Sequence, residues 1–474
     1  MYNYYNRFLP KREVLFLKKY LPQDDIILNV KKIHMIGIGG SGMCPLAEIL
    51  HSQGYILTGS DVNESDPLKR VRAMGVEVFM GHKAENVHGA ELIVYSAAIN
   101  SENPELKEAA KLGIPTMERS KLLGAITRRY DRVIGVCGTH GKTTTTSCLT
   151  QVLVMNDLDP TAVIGGRLPL INANGVAGKS EFMVCESCEF VDTFLQLSPD
   201  MAVLLNIDND HLDYFKTMDN LVNSFSKFIA MSKVAVINGD DDLCKKAVND
   251  FDGEIITFGL DSKNDYTATN IERASLGFKF SVNFKGEPLF NLELSVPGKH
   301  NVLNAMSVVA ACRYYGVDND GIKKGIEAFG GAGRRFEKLG FFNGITLVDD
   351  YAHHPTEIAA TLNAAKQLNF KNVIAVFQPF TFSRTELLKD EFIKALSIAD
   401  KVILTPIMGS REVNTTGISS ECLAAGLKDC TVVKDLPEAA ETAVKLATDG
   451  DIIITMGGGD IYKSAYIMRD LMSR

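Results

Sequence analysis

Six residues, Gly138-Thr139-His140-Gly141-Lys142-Thr143, carry the clearest chemistry in this chain. They follow the apolar run Arg132-Val133-Ile134-Gly135-Val136-Cys137 and lead into Thr143-Thr144-Thr145-Thr146, which reads as the start of a helix. Strand, glycine-bearing loop and helix in that order suit a nucleoside triphosphate. Backbone amides and the Lys142 ammonium hold the β- and γ-phosphates, and the Thr143 hydroxyl is placed for Mg²⁺. Val136 stands where the full Walker A pattern has a glycine, so the loop is a variant of it.

A second glycine loop, Gly37-Ile38-Gly39-Gly40-Ser41-Gly42, lies between the strand-like Ile33-His34-Met35-Ile36 and the helical stretch Leu46 to Leu50. Glycines there let backbone N–H groups approach a diphosphate at a helix N-terminus. Asp61 follows the next strand, where an acid often meets a ribose hydroxyl. The pattern specifies a diphosphate at a helix end, so a dinucleotide and any other nucleoside diphosphate both suit it. Glu186 ends the run Phe182-Met183-Val184-Cys185, and His211 lies within Asn206 to Asp213. An acid and an imidazole at strand ends could complete a metal site beside the ATP phosphates. Mg²⁺ prefers oxygen, so a structural histidine remains an equal reading of His211. Further polar clusters follow later strands: Arg334-Arg335-Phe336, Asp349-Asp350-Tyr351-Ala352-His353-His354-Pro355-Thr356-Glu357, Gln378 to Thr385, and Gly457 to Asp460.

The elements that must position these groups alternate strand and helix, which implies parallel sheets with helical crossovers, an α/β fold. The pattern restarts at Arg132 and again near Gly330, giving three consecutive α/β units after an extension of residues 1–30. The limits are 31–130, 131–331 and 332–474. Short alternating segments between Phe258 and Leu294 predict a small antiparallel insert. The chain has 474 residues, 46% hydrophobic and 23% charged, enough to bury several cores. A net charge of -8 argues against a dedicated nucleic-acid binder. No apolar run is long enough for a membrane span, and the N-terminus has no secretory core. Nine scattered cysteines fit a reducing, cytoplasmic setting. Cys185 and Cys188, with no second pair, are too few for a structural zinc site.

Taken in order, the motifs resemble the Mur ligases of peptidoglycan synthesis, from about Ile33 to Met456. The likeness is carried by His34 to Met43, Gly138 to Thr144, Asn206 to Asp213, His300-Asn301 and Asp350 to Glu357. It implies a Rossmann-like N-terminal domain, a P-loop ATPase-like central domain and a Rossmann-like C-terminal domain. It further implies that L-alanine is joined to the lactyl carboxylate of UDP-N-acetylmuramate through an acyl phosphate, using ATP and Mg²⁺. Gly37, Gly39, Gly40, Ser41, Gly42 and Asp61 then take the UDP-sugar rather than NAD. Gly138, Thr139, His140, Gly141, Lys142, Thr143 and Thr144 take ATP, with His300 and Asn301 at the adenine. Glu186 and His211 join Thr143 as Mg²⁺ ligands. Arg335 and Asp350 approach ATP, while Tyr351, His353 and Arg384 surround the amino acid. The catalytic set is Lys142, Glu186, His211 and His353, with His353 either handling the amine's proton or only positioning. Phe380-Thr381-Phe382 and Cys188 depart from the residues common in relatives. Three rivals are weighed against this assignment: a peptide-recycling or folate ligase sharing the ATP loop, a nicotinamide oxidoreductase and a non-catalytic nucleotide binder. Both a monomer and a dimer are compatible with the sequence.

Overall fold

A computed structural model describes residues 22–274, 277–409 and 412–473. The chain forms two compact units. One holds the described residues up to Lys142 with Asp157–Gly165 and Ala173–Thr257; the other holds Thr143–Asn156, Gly166–Asn172 and the chain from Phe258 on.

In the first unit, β1 (Lys32–Ile36), β2 (Ile56–Asp61), β3 (Glu77–Met80), β4 (Leu92–Tyr95) and β5 (Thr116–Glu118) form a sheet in the order β3-β2-β1-β4-β5. Every pairing is parallel. Ile33, His34, Met35 and Ile36 are all buried, as expected of a parallel strand covered on both faces. Strand order reverses at β1, so a crevice opens at the carboxyl ends of β1 and β4.

A second run of strands in this unit comprises β6 (Arg132–Cys137), β7 (Thr161–Leu168), β8 (Ala173–Val176), β9 (Phe182–Glu186), β10 (Met201–Leu204), β11 (Val234–Asn238) and β12 (Glu254–Gly259). Its centre reads β11-β10-β6-β9-β7, again parallel. β6, the strand before the Lys142 loop, lies between β10 and β9. The division between the units falls within β7 and β12.

The second unit contains the predicted antiparallel insert: β13 (Tyr266–Ala274), β14 (Gly277–Phe284) and β15 (Glu287–Leu294). Phe278, Phe280 and Val282 face inward, while Lys279 between them is exposed, the period-2 pattern that made the insert readable. A further sheet orders β16 (Glu337–Phe342), β17 (Ile345–Asp350), β18 (Val373–Phe377), β19 (Lys401–Leu404), β20 (Cys430–Val432) and β21 (Ile452–Met456) as β16-β17-β21-β18-β19-β20. All pairs are parallel except β16 with β17. Their hairpin turns on Asn343 and Gly344, both at positive φ, which the two-residue primed turn requires.

Of the expected extension, residues 1–21 lie outside the described residues. Pro22–Leu28 is a helix that belongs to the first unit. Arg128 donates to the Asp24 carboxylate at 2.5 and 2.6 Å, and both side chains are 6% exposed. Ile27 beside them is fully buried. Among the described residues no helix is long and apolar enough to cross a membrane.

Candidate active site

The loop after β6 is shaped by two glycines and one asparagine. Gly138 sits at φ 129° and Gly141 at φ 86°, conformations that side chains rarely adopt. A Cβ on Gly138 would lie 3.0 Å from the Asn206 carbonyl oxygen. Asn206, just past β10, braces the loop throughout. Its carbonyl accepts from Thr139 N at 3.0 Å. Its side chain accepts from His140 N at 2.8 Å and donates to the His140 carbonyl at 3.0 Å. The Thr139 hydroxyl accepts from Asp208 N at 2.9 Å, and His140 Nε2 stands 3.2 Å from the Asp208 carboxylate. Such a braced run of amides at a helix start is a ready cradle for phosphate oxygens.

Lys142 opens the helix Lys142–Met155. Its Nζ donates to the carbonyls of Gly138 (2.6 Å) and Thr139 (3.0 Å) and pairs with Glu189 at 2.9 Å. The Lys142 side chain is 13% exposed and that of Glu189 only 1%. Burial alone would lower the ammonium's pKa. The Glu189 carboxylate, helped by Cys188 and Glu186, overrides it and holds the group well above the ordinary lysine range. Lys142 is therefore a fixed cation at the loop after β6.

Glu186 is the last residue of β9, in register with Val136 of β6. Its carboxylate accepts from Gly165 N at 2.7 Å, and a Cβ on Gly165 would come within 2.4 Å of it. His211 sits at φ 55°, donates its N–H to the Asp210 carboxylate at 2.8 Å and packs its ring 4.7 Å from Phe190. The segment after Glu189 is strained: Val191, a β-branched residue, has φ 53° and Asp192 has φ 55°. It is fastened by the Asp192 carboxylate, which accepts from the Tyr214 hydroxyl at 2.8 Å and from the Ser224 hydroxyl. Strain of this kind persists where a site over-determines the backbone. Thr143, in the second unit, is 5% exposed.

The loop Gly37–Gly42 leaves the carboxyl end of β1. Ser60 O accepts from Gly37 N (2.8 Å) and Ile38 N (3.1 Å), and Asp61 accepts from Gly39 N at 2.9 Å. One Asp61 oxygen therefore holds the loop, and the other accepts from Asn63 N at 3.0 Å. Gly40 and Ser41 remain exposed, and a Cβ on Gly42 would meet Arg119 at 3.2 Å.

In the second unit, three clusters singled out in the sequence come together at the carboxyl ends of the neighbouring strands β17, β21 and β18. His353 Nδ1 lies 3.2 Å from Glu357 and 3.1 Å from the Tyr351 carbonyl. Its ring stands 5.2 Å from Tyr351 and 6.3 Å from Phe380. A Cβ on Gly458 would touch His353 at 3.3 Å, and Gln378 donates to Asp460 at 3.2 Å. Burial would raise the Glu357 pKa, but His353 and Arg335 outweigh it and hold the carboxyl well below its usual range. Arg335 lies over the Tyr351 ring at 5.3 Å and 3.8 Å from Glu357. Asp350 accepts from Phe336 N and Ala352 N, both at 2.7 Å. Burial dominates there, and Asp350 is raised to about 6 despite Arg335. Arg384 lies on the helix Phe382–Leu387, where its charge bears on Glu412. His300 and Asn301 open the helix His300–Tyr314, His300 exposed and Asn301 buried. Asn304 donates to the Asn301 carboxamide at 2.9 Å, and Asn301 donates to Pro297 O at 2.6 Å.

Three family models match consecutive stretches of the chain: "Mur ligase family, catalytic domain" over residues 32–131, "Mur ligase middle domain" over 136–312 and "Mur ligase, glutamate ligase domain" over 334–459. The chain belongs to the Mur ligase family. Among relatives, the UDP-N-acetylmuramate–L-alanine ligase of Acetivibrio thermocellus is 45% identical over 91% of this chain and 94% of its own length. That of Clostridium acetobutylicum is 41% identical over 91% and 96%. A crystal structure of the UDP-N-acetylmuramate–alanine ligase from Thermotoga maritima superposes with a TM-score of 0.80 at 29% identity, covering 94% of this chain and 100% of that one. A murein peptide ligase from Psychrobacter arcticus shares the fold, with a TM-score of 0.72 at 24% identity, covering 94% and 98%. The fold is thus the Mur ligase arrangement of N-terminal, middle and C-terminal domains built on parallel sheets.

Several residues of this Mur ligase escape a reading of the sequence alone. Glu189 pairs with Lys142 across a 47-residue separation, and Asn206 reaches His140 across 66. Arg334, not only Arg335, is engaged: it donates to Asp349 at 2.9 Å and to the carbonyls of Gly457 and Gly459 at 2.8 and 3.1 Å. Glu357 was visible as a helix-start acid, and the structure shows its capping box with His354. Its partnership with His353 follows from the same (i, i+4) spacing.

Proposed function

We infer that this Mur ligase joins L-alanine to the lactyl carboxylate of UDP-N-acetylmuramate, converting ATP to ADP and phosphate, in peptidoglycan precursor synthesis. The observation that carries the chemistry is the buried Lys142 cation at a loop whose backbone is braced by Asn206. The choice of substrates is supported by full-length relatives that bear this activity in their names.

The lactyl carboxylate attacks the γ-phosphorus of ATP, the bond to ADP breaks, and an acyl phosphate forms. Lys142 offsets the negative charge spread over the transferring group. The amine of L-alanine then adds to the acyl carbon, and phosphate leaves as the amide forms. His353, oriented by Glu357, takes up or positions the amine's proton. Tyr351 and Arg384 complete the amino-acid side, Arg335 and Asp350 serve ATP, and His300 and Asn301 serve its adenine. Gly37 to Gly42 with Asp61 receive the UDP-sugar. Thr143, Glu186 and His211 are the residues that would hold Mg²⁺, which when bound would neutralise phosphate charge. The domain limits are 31–130, 131–331 and 332–474, and the reaction is placed in the cytoplasm.

The test is phosphate release from ATP and Mg²⁺ with UDP-N-acetylmuramate, each amino acid added singly, with the product weighed by mass spectrometry. A UDP-sugar heavier by one alanyl residue, formed with L-alanine in preference to serine and glycine, is expected. Release with none of them removes the assignment.

A further inference from the structure

One buried carboxylate in the first unit has no part in the chemistry above. Glu105 lies in the first turn of helix Pro104–Leu112, and its side chain has no exposed surface. A carboxylate costs a great deal to bury and persists only where donors satisfy it. Four side chains face it. Ser60 donates at 2.7 Å and Asn86 at 2.6 Å. His82 Nδ1 stands at 3.0 Å and His34 Nε2 at 3.5 Å. Burial raises the Glu105 pKa, but the donors from His34, Asn86 and Ser60 outweigh it, and the group is held below its usual range as an anion.

These partners come from the middle of β1, the end of β2 and the segment after β3. Ser60 is the link. Its hydroxyl is committed to Glu105, while its carbonyl accepts from both Gly37 N and Ile38 N. The next residue, Asp61, accepts from Gly39 N. Three amides of the loop are thus set by Ser60, which Glu105 holds directly, and by Asp61 next to it in the chain. A filler of this space needs only volume; aligning amides needs a fixed acceptor.

We propose that Glu105 is a positioning residue for the loop Gly37–Gly42, acting through Ser60 to hold the loop's backbone in register with the diphosphate of the UDP-sugar. It rests on the assignment of that loop to the UDP-sugar. Two substitutions separate alignment from packing. Glu105→Gln keeps the shape and removes the charge; Ser60→Ala cuts the link to β2 together with the 3.2 Å contact to His82. Steady-state kinetics and thermal melting are measured on both full-length variants. The KM for UDP-N-acetylmuramate should rise about tenfold in Glu105→Gln, and in the same direction in Ser60→Ala, because small misplacements of a binding frame are costly. The kcat and the KM for ATP should change less than about twofold. A folded Glu105→Gln with an unchanged KM for the UDP-sugar overturns the proposal, as does a proportional loss in all three constants. Should Glu105→Gln fail to fold, the KM of Ser60→Ala decides. Gly40→Ala, whose Cβ would crowd the Gly37 carbonyl at 3.2 Å, is the control on the loop itself. A raised KM in Gly40→Ala with neither other variant affected sinks Glu105 alone; no change in Gly40→Ala sinks the loop assignment and the proposal with it.

Discussion

Lys142 and Glu189 form a pair in which neither member can be removed at no cost. Lys142→Ala deletes the cation at the phosphate cradle and leaves Glu189, 1% exposed, without its partner. Turnover should fall by about a thousandfold or more. Stability should also drop, by about 3–5 kcal/mol, because a buried charge is stranded. The double variant Lys142→Ala/Glu189→Gln should recover most of the melting temperature and none of the turnover; melting and phosphate release measured side by side would show it. Asp350 titrates differently. Its carboxyl is raised from 3.8 to about 6 by burial, so the fold favours the protonated form. Its contribution to stability is greatest below about pH 4, shrinks as pH rises to about 6 and stays constant above. Asp350→Asn should therefore gain stability relative to the parent between pH 4 and 6, by about 3 kcal/mol at most, and nothing further at higher pH. Denaturant melts across that range check the sign: a relative gain on going down in pH would contradict the burial argument.

The strand ends act as the positioning devices, and β7 shows how tightly. Gly165 touches the Glu186 carboxylate through its N–H, and any side chain there would collide with it at 2.4 Å. Gly165→Ala should leave the sheet folded, because its backbone is not at positive φ, yet displace Glu186. The Mg²⁺ concentration for half-maximal turnover should rise by at least about tenfold, while the melting temperature moves little. How legible were these elements? Long apolar runs such as Arg132–Cys137 and Val373–Phe377 declared themselves, since a strand buried on both faces needs no alternation. β16 was missed, although Asn343-Gly344 is a strong hairpin signal, because its own pattern is only half-buried. The candidate site residues were read as loops after strands, and the structure does place those segments at strand ends. What could not be read were the pairings made by strand order. Asn206 reaches His140 only because β10 lies beside β6, and Glu105 meets His34 and Ser60 only because β4, β1 and β2 are neighbours. Separations of 66 and 45 residues leave no local periodicity to detect.

For the whole molecule, ligands that bind only the folded chain must raise its melting temperature by mass action. Mg²⁺ with a non-hydrolysable ATP analogue at about a hundred times its Kd should add about 2.7 kcal/mol, and a chelator should abolish most of that gain if Thr143, Glu186 and His211 hold the cation. Calorimetry with and without chelator tests this directly; an analogue that stabilises equally in both would remove the metal from the ATP site. The helix Pro22–Leu28 has a practical consequence. Sequence pattern places the first strand at Lys31, inviting a shortened version that begins there. Asp24 and Ile27 lie upstream of that cut, and Arg128 would keep its guanidinium buried with no carboxylate to meet it. A clone lacking residues 1–30 should express poorly or precipitate beside the full chain, which yield and melting measured side by side would show. Anyone shortening this enzyme for crystallisation should keep the helix Pro22–Leu28.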